Sequence, residues 1–100
     1  MCWSARGSWS TYYGNYWFKL SWCSDGSRVT TSTYSGEGSQ PLNGATGGQV
    51  AGDWNNNVGW ETRTALEFRF LYYGTYYYEC GQVRGGATGL YSTQQSCNLN

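Results

Sequence analysis

The chain has 100 residues, one domain's worth, with nineteen aromatic side chains (six Trp, ten Tyr, three Phe), six basic and six acidic residues, and no His. Without His there is no Ser-His-Asp or Cys-His nucleophile, no His-ligated metal and no imidazole switch. Zero net charge with six scattered cations leaves no electrostatic footprint for duplex nucleic acid, so no nucleic-acid partner is expected.

Leu and Val together number only ten, so the core has to be aromatic. A chain of this size hides roughly two thirds of its surface, too little to bury nineteen large rings. The surplus must face solvent or a partner. No apolar run approaches the roughly 20 residues of a membrane span. The first residues do not read as a signal peptide, and Met1 directly before Cys2 is expected to be a start placed where an export signal was removed.

Cys2, Cys23, Cys80 and Cys97 form an even set with no C-x-x-C pair, which points to a disulfide framework in an oxidising compartment rather than to zinc or thiol redox chemistry. The expected pairing is Cys2–Cys23 and Cys80–Cys97, each closing a loop of about 20 residues and contributing on the order of 3 kcal/mol. The chain has no N-x-S/T sequon, which fits a bacterial exported protein.

In chain order, rings at Trp3, Trp9, Tyr12 and Tyr13 are spaced irregularly and define no face. From Tyr16 to Trp22 the alternation predicts a strand with Tyr16, Phe18, Leu20 and Trp22 inward and Trp17 outward. Asp25-Gly26 predicts a two-residue hairpin turn, setting Trp22 opposite Val29 and Leu20 opposite Thr31. It also leaves Tyr34 outward beside Trp17.

Residues 35–59 are Gly-rich and hold the only Pro, and read as a long loop with one short strand near Gln49–Trp54. A strand then runs from Trp60 to Tyr72 with Thr62, Thr64, Leu66, Phe68, Phe70 and Tyr72 on its inner face. A three-residue loop Tyr73-Gly74-Thr75 would pair Phe70 with Tyr78, Phe68 with Cys80 and Arg69 with Glu79. Tyr76 and Tyr78 then point inward and Tyr77 outward. A last strand is expected at 88–95, carrying Leu90.

Nothing repeats at 3.6 residues. The fold class is all-β, a small disulfide-stapled antiparallel β-sandwich of six or seven strands in one domain over residues 1–100. Tyr78-Glu79-Cys80 resembles the Tyr-x-Cys of an immunoglobulin strand F, which would imply a Cys23–Cys80 bridge. However, no Trp follows Cys23 at the immunoglobulin spacing, and strand parity places the two cysteines on unlike faces.

For chemistry, the six carboxylates Asp25, Glu37, Asp53, Glu61, Glu67 and Glu79 give no pair that spacing brings face to face, and Lys19 lies on an outer face. A non-catalytic protein without cofactor is expected. In Gly52–Trp60, Trp54 and Trp60 flank Asp53, Asn55, Asn56 and Asn57, the side chains of sugar recognition: indole for C–H faces, carboxylate and amides for hydroxyls. Asp53, Asn55 and Asn57 echo a calcium loop, but Val58 and Thr64 stand where Gly and Glu are needed, so no metal is expected. Trp17, Tyr34, Tyr73 and Tyr77 complete an exposed aromatic surface.

The expected function is a secreted binding module for an extracellular or cell-wall glycan. The alternative is a protein-interaction subunit of an extracellular assembly, an inhibitor or a contact-acting toxin, where exposed Tyr and Trp serve as an interface and the uncharged run Leu71–Tyr78 permits self-association.

Overall fold

Period-two alternation runs through nearly the whole chain and produces strands throughout. The computed structural model describes residues 1–100. Strands β1 (Cys2–Ser10), β2 (Gly14–Ser24) and β3 (Val29–Pro41) form one antiparallel sheet in the order β1-β2-β3, sheet A. Strands β4 (Thr46–Asn57), β5 (Glu61–Tyr72), β6 (Thr75–Gly86) and β7 (Tyr91–Gln94) form the other, in the order β4-β5-β6-β7, sheet B. The two sheets stack into a body of 48 × 20 × 16 Å. No helix of the structure is long and apolar enough to cross a membrane.

The core is the seam between β2 and β5. Tyr16, Phe18, Leu20 and Trp22 are sealed from solvent, as the alternation predicts, and meet Leu66, Phe68, Phe70 and Val83 from the facing sheet. Tyr16 lies 5.0 Å from Phe68 and 5.6 Å from Trp9 between ring centroids. Each such side chain is worth about 1.5–3 kcal/mol of burial.

Tryptophan is wide for the gap between two sheets, and glycines make the room. A Cβ on Gly81 would lie 2.4 Å from the Trp9 ring, and one on Gly85 would lie 2.5 Å from Trp22. The missing side chains open recesses in the inner face of β6, and indoles from β1 and β2 fill them. The polar ends of these large residues are also satisfied. Trp22 Nε1 donates to the Gly86 carbonyl at 2.9 Å, and the Tyr16 hydroxyl donates to the Cys80 carbonyl at 2.7 Å and accepts from Gln95 Nε2 at 3.1 Å.

The disulfides are Cys2–Cys23 and Cys80–Cys97, with no free thiol. Cys2 and Cys23 are register partners on β1 and β2, so that bridge staples one sheet. The second ties the C-terminal segment to β6. No inter-sheet bridge of the immunoglobulin kind exists.

Four local expectations are corrected. The first hairpin turns through four residues, 25–28, not through Asp25-Gly26 alone: Ser24 pairs with Val29 and Trp22 with Ser32. The Asp25 carboxylate accepts the Ser27 and Arg28 amides at 3.0 and 2.9 Å, which makes it the head of a longer loop and holds its pKa below the usual carboxylate value. A bulge follows, because Cys23 pairs with Thr31 and Thr30 is left over. One inserted residue sends the side chains that follow in β3, as far as the second register shift at Gly36, to the other face. Tyr34 therefore points inward and packs on Phe18 at 6.3 Å, while Trp17 remains outside.

Residues 35–59 are not a long loop. They are the second half of β3, a short connection at 42–45, and β4, which runs well beyond the expected Gln49–Trp54 strand. Gly36 (φ 64°) and Gly48 (φ 94°) sit where the registers shift, so glycine here builds bulges within strands instead of ending them.

The turn between β5 and β6 has two residues, Tyr73 and Gly74, both left-handed at φ 47° and 79°. Phe70 consequently pairs with Tyr77, Phe68 with Glu79 and Glu67 with Cys80. The inner face of β6 carries Tyr77 and Glu79, and Tyr76 and Tyr78 are exposed, the reverse of the expectation. Desolvation raises the Glu79 pKa above the usual carboxylate value, the cost of seating it opposite Phe68. Finally, the last strand is only Tyr91–Gln94, and Leu90 is 79% exposed.

Two outcomes follow. Gly81→Ala forces a Cβ into the Trp9 ring and should lower the unfolding free energy by about 1–3 kcal/mol in a denaturant titration. Combined with Trp9→Phe, the loss should be less than the sum, because the smaller ring vacates the same space. Separately, burial pushes the Tyr16 hydroxyl up to about 12 from an ordinary phenol value of 10.0. Its protonated form is kept by the fold, so the associated stability is intact below pH 10 and is lost as pH rises through about 12. Thermal melts across that window should show a decline that is shallower in Tyr16→Phe.

Candidate functional site

Strands β3 and β4 are the neighbouring edges of the two sheets, and they meet through side chains rather than a strand ladder. The Tyr34 hydroxyl donates to Asp53 Oδ2 at 2.9 Å, and Asn55 Nδ2 donates to Thr64 Oγ1 at 2.7 Å and approaches Ser32 Oγ at 3.2 Å. Thr62 Oγ1 donates to Ser32 Oγ at 3.1 Å, and Ser39 Oγ to the Gly48 carbonyl at 2.7 Å.

Between these edges opens a cleft of about 120 Å³, walled by Tyr34, Asp53, Trp54 and Asn55 with Ser32, Thr33 and Thr64. The donors of Asn55 are taken by its neighbours, which locks the amide while its Oδ1 accepts from no protein group. Asp53 keeps Oδ1 unengaged in the same way. The carboxylate hydrogen bond, with partial burial, raises the Tyr34 pKa above 10.0, so the hydroxyl stays a donor. Trp54 lies over Gly52, where a Cβ would sit 2.7 Å from its ring, and remains 46% exposed. One open indole face beside a carboxylate, an amide and hydroxyls can hold a ring whose one side is apolar and whose edge is polar.

The predicted residues are only partly brought together. Tyr34, Asp53, Trp54 and Asn55 share the cleft. Trp54 and Asn56 have the opposite parity to Asp53 and Asn55: Trp54, lying back over Gly52, borders the cleft from the outer side of β4, and Asn56 faces solvent across from Arg63. Asn57 is committed to the next turn, donating to the Val29 carbonyl and accepting from the Gly59 amide, both at 2.9 Å.

Trp60 lies elsewhere. Trp54 is register partner to Ala65, five residues from Trp60, which sets the two residues roughly 16 Å apart along the strand direction. Trp60 is 62% exposed under the Arg63 guanidinium and borders a second hollow of about 270 Å³ with Leu90 and Tyr91.

Trp17 is alone on the outer face of sheet A. Tyr73 and Tyr77 belong to a cluster at one pole, where Tyr13 stacks on Tyr77 at 4.2 Å and Tyr72 meets Tyr73 at 4.5 Å. The Tyr12 hydroxyl lies 3.3 Å from that of Tyr72 and, with burial, lifts the Tyr72 pKa to about 12.

Sequence reasoning missed Ser32, Thr33 and Thr64 as cleft residues. The inward parity of Thr64 was readable, but the position of Ser32 depends on the Thr30 bulge, which has no short-range signal. Glu67 and the two sulfurs of Cys80 and Cys97 lie within 4.8 Å of one another. Both sulfurs are spent in the disulfide, so this group offers a metal one carboxylate and no thiolate.

Compared with family models, curated proteins and solved structures, the chain matched none. Its two disulfides are compatible with an extracellular location.

Replacing Asp53 by Asn removes the anion that disfavours the Tyr34 phenolate, so the Tyr34 pKa should fall towards its ordinary value while the pKa values of the polar tyrosine cluster stay put. Carbon NMR of the tyrosine rings against pH reads this directly.

Proposed function

We propose that the protein is a secreted, non-catalytic carbohydrate-binding module, exported by a bacterium, whose ligand sits in the cleft between β3 and β4. The observation that carries the reading is the convergence of Trp54, Asp53, Asn55 and the Tyr34 hydroxyl around one small hollow. A pyranose presents C–H groups on one side and hydroxyls around its rim. The open Trp54 face takes the first, and the unengaged oxygens of Asp53 and Asn55 accept from the second. The cleft is walled by side chains already tied to one another, so little ordering has to accompany binding.

A binding role suits the single carboxylate that lines the cleft, since glycoside cleavage ordinarily uses two. The two disulfides suit work outside the cell.

A second reading, a protein-interaction subunit, draws on Tyr73. It is 87% exposed in a left-handed conformation that costs a non-glycine residue, at the tip of a tyrosine cluster.

Screening the protein on a glycan array and titrating the best hit by calorimetry tests the first reading. Trp54→Ala and Asp53→Ala should each weaken binding by about tenfold or more, roughly 1.4 kcal/mol, and Trp60→Ala should leave it unchanged. An array with no hit, or a Trp54→Ala protein that binds as well as wild type, sinks the assignment.

A further inference from the structure

The outer face of sheet A holds two cations that the fold leaves unneutralised. Arg6 on β1 and Lys19 on β2 are direct register partners, and both are exposed. Like charges directly opposite one another on a sheet are destabilising. Neither is ion-paired: the ion pairs of the structure join Arg63 and Arg84 to Glu61 on the other sheet. The outward positions of the three strands carry hydroxyls and amides, such as Ser8, Ser21, Ser35 and Gln40, and no carboxylate. Glu37 lies in the β3 bulge and pairs with neither cation.

Beside the cation pair lies Trp17, register partner to Ser8 on one side and Gly38 on the other. A Cβ on Gly38 would lie 2.7 Å from the indole nitrogen, so the ring reclines over the β3 backbone instead of standing off the sheet. The Arg6 guanidinium lies over the ring, 5.4 Å from its centroid, an exposed and therefore weak cation–π contact that a stacking sugar displaces as Arg6 turns to the neighbouring anion. The aromatic surface and the two charges thus occupy successive rows of one flat face, about 6–7 Å apart along the strands. At that spacing a long cationic side chain reaches the sugar next to the one stacked on the ring.

We propose that this face binds an acidic polysaccharide, with a pyranose ring on Trp17 and the anionic groups of the adjoining residues on Arg6 and Lys19. The ligand charge follows from the unpaired cations, and its saccharide nature from the reclining indole and the surrounding hydroxyls. A nucleic acid or other phosphate polymer is held by cations distributed along its whole track, and here there are two, set side by side. The site shares none of these residues with the β3–β4 cleft and stands or falls separately from it.

Affinity electrophoresis in gels containing polygalacturonate, dextran sulfate or neutral dextran tests the proposal, with mobility in the neutral gel as reference for each variant. Wild type should be retarded by an acidic polymer at low salt and released as salt is added. Arg6→Gln/Lys19→Gln should lose at least about tenfold in apparent affinity, and Trp17→Ala, which alters no charge, about fivefold. Arg6→Lys should keep most of the binding, and Asp53→Asn all of it. Thermal melts establish that each variant is folded, since all three side chains lie on the outer face.

Retardation by polygalacturonate alone makes the recognised group a carboxylate, and by dextran sulfate alone a sulfate. The proposal is overturned if neither retards the wild type, if the double variant is retarded as strongly, or if a polyphosphate gel retards the protein equally with Trp17→Ala unaffected.

Discussion

The structure depends on indole rings resting on glycine. Two β-sheets pack about 10 Å apart when ordinary side chains interdigitate, and a tryptophan standing in that gap would hold them further apart. Trp9 and Trp22 fit because Gly81 and Gly85 surrender their Cβ positions on the opposite strand. Each pair acts as a large residue and a matching hole, and the holes sit two strand turns of alternation apart on one face of β6, with Val83 between them. A chain with ten Leu and Val and no Ile can therefore close a dry core, using ring area in place of branched aliphatic volume. The same pairing recurs at the surface, with Trp17 over Gly38 and Trp54 over Gly52. There it covers bare backbone and turns a ring face outward.

Glycine in this sequence consequently has two meanings that composition does not separate. At positions 81 and 85 it is a packing residue inside a regular strand. At 36 and 48 it supplies the left-handed backbone of bulges. Reading the Gly-rich stretch as loop assigns it the one role it does not have over most of its length. What terminates β3 and begins β4 is the short connection at 42–45, where Asn43 and Gly44 are both left-handed and the Asn43 side chain donates to the Tyr12 carbonyl.

The legible part of the fold was the part fixed by local alternation. The inner face of β2 from Tyr16 to Trp22 and that of β5 from Thr62 to Phe70 are sealed from neighbour to neighbour, and two cysteine pairs close short loops along the chain. What escaped was register, which depends on single residues at turns. Tyr73 adopting a left-handed conformation, unusual for an aromatic, shortens the β5–β6 turn by one residue and reverses Tyr76, Tyr77 and Tyr78 together. Alternation alone favours Glu79 beside Arg69, whereas the two-residue turn seats Glu79 opposite Phe68 and Tyr78 opposite Arg69. The desolvation of one half-buried carboxylate is offset by stacking Tyr77 on Tyr13 and placing Gly81 beneath Trp9.

The candidate cleft is a product of the same kind of slip. With a tight two-residue turn, Tyr34 would lie outside beside Trp17, and Asp53 would face an empty edge. The leftover Thr30 turns Tyr34 inward, where its hydroxyl reaches Asp53 across the gap between sheets, and brings Ser32 to Asn55 and Thr62. These bonds substitute for a strand ladder, holding two sheet edges near each other without merging them into a barrel. The edges are thereby protected from pairing with other chains, and the space left between them is polar, walled and open to one side. The bulge thus closes the sandwich at this edge and shapes the hollow in one step, so the residues around the cleft are constrained first by the need to bridge two sheets. Trp54 is the exception: its ring bridges nothing, rests on its own strand at Gly52 and contributes only an exposed face. A residue with that much area and no structural partner across the gap is the one whose presence a ligand has to explain.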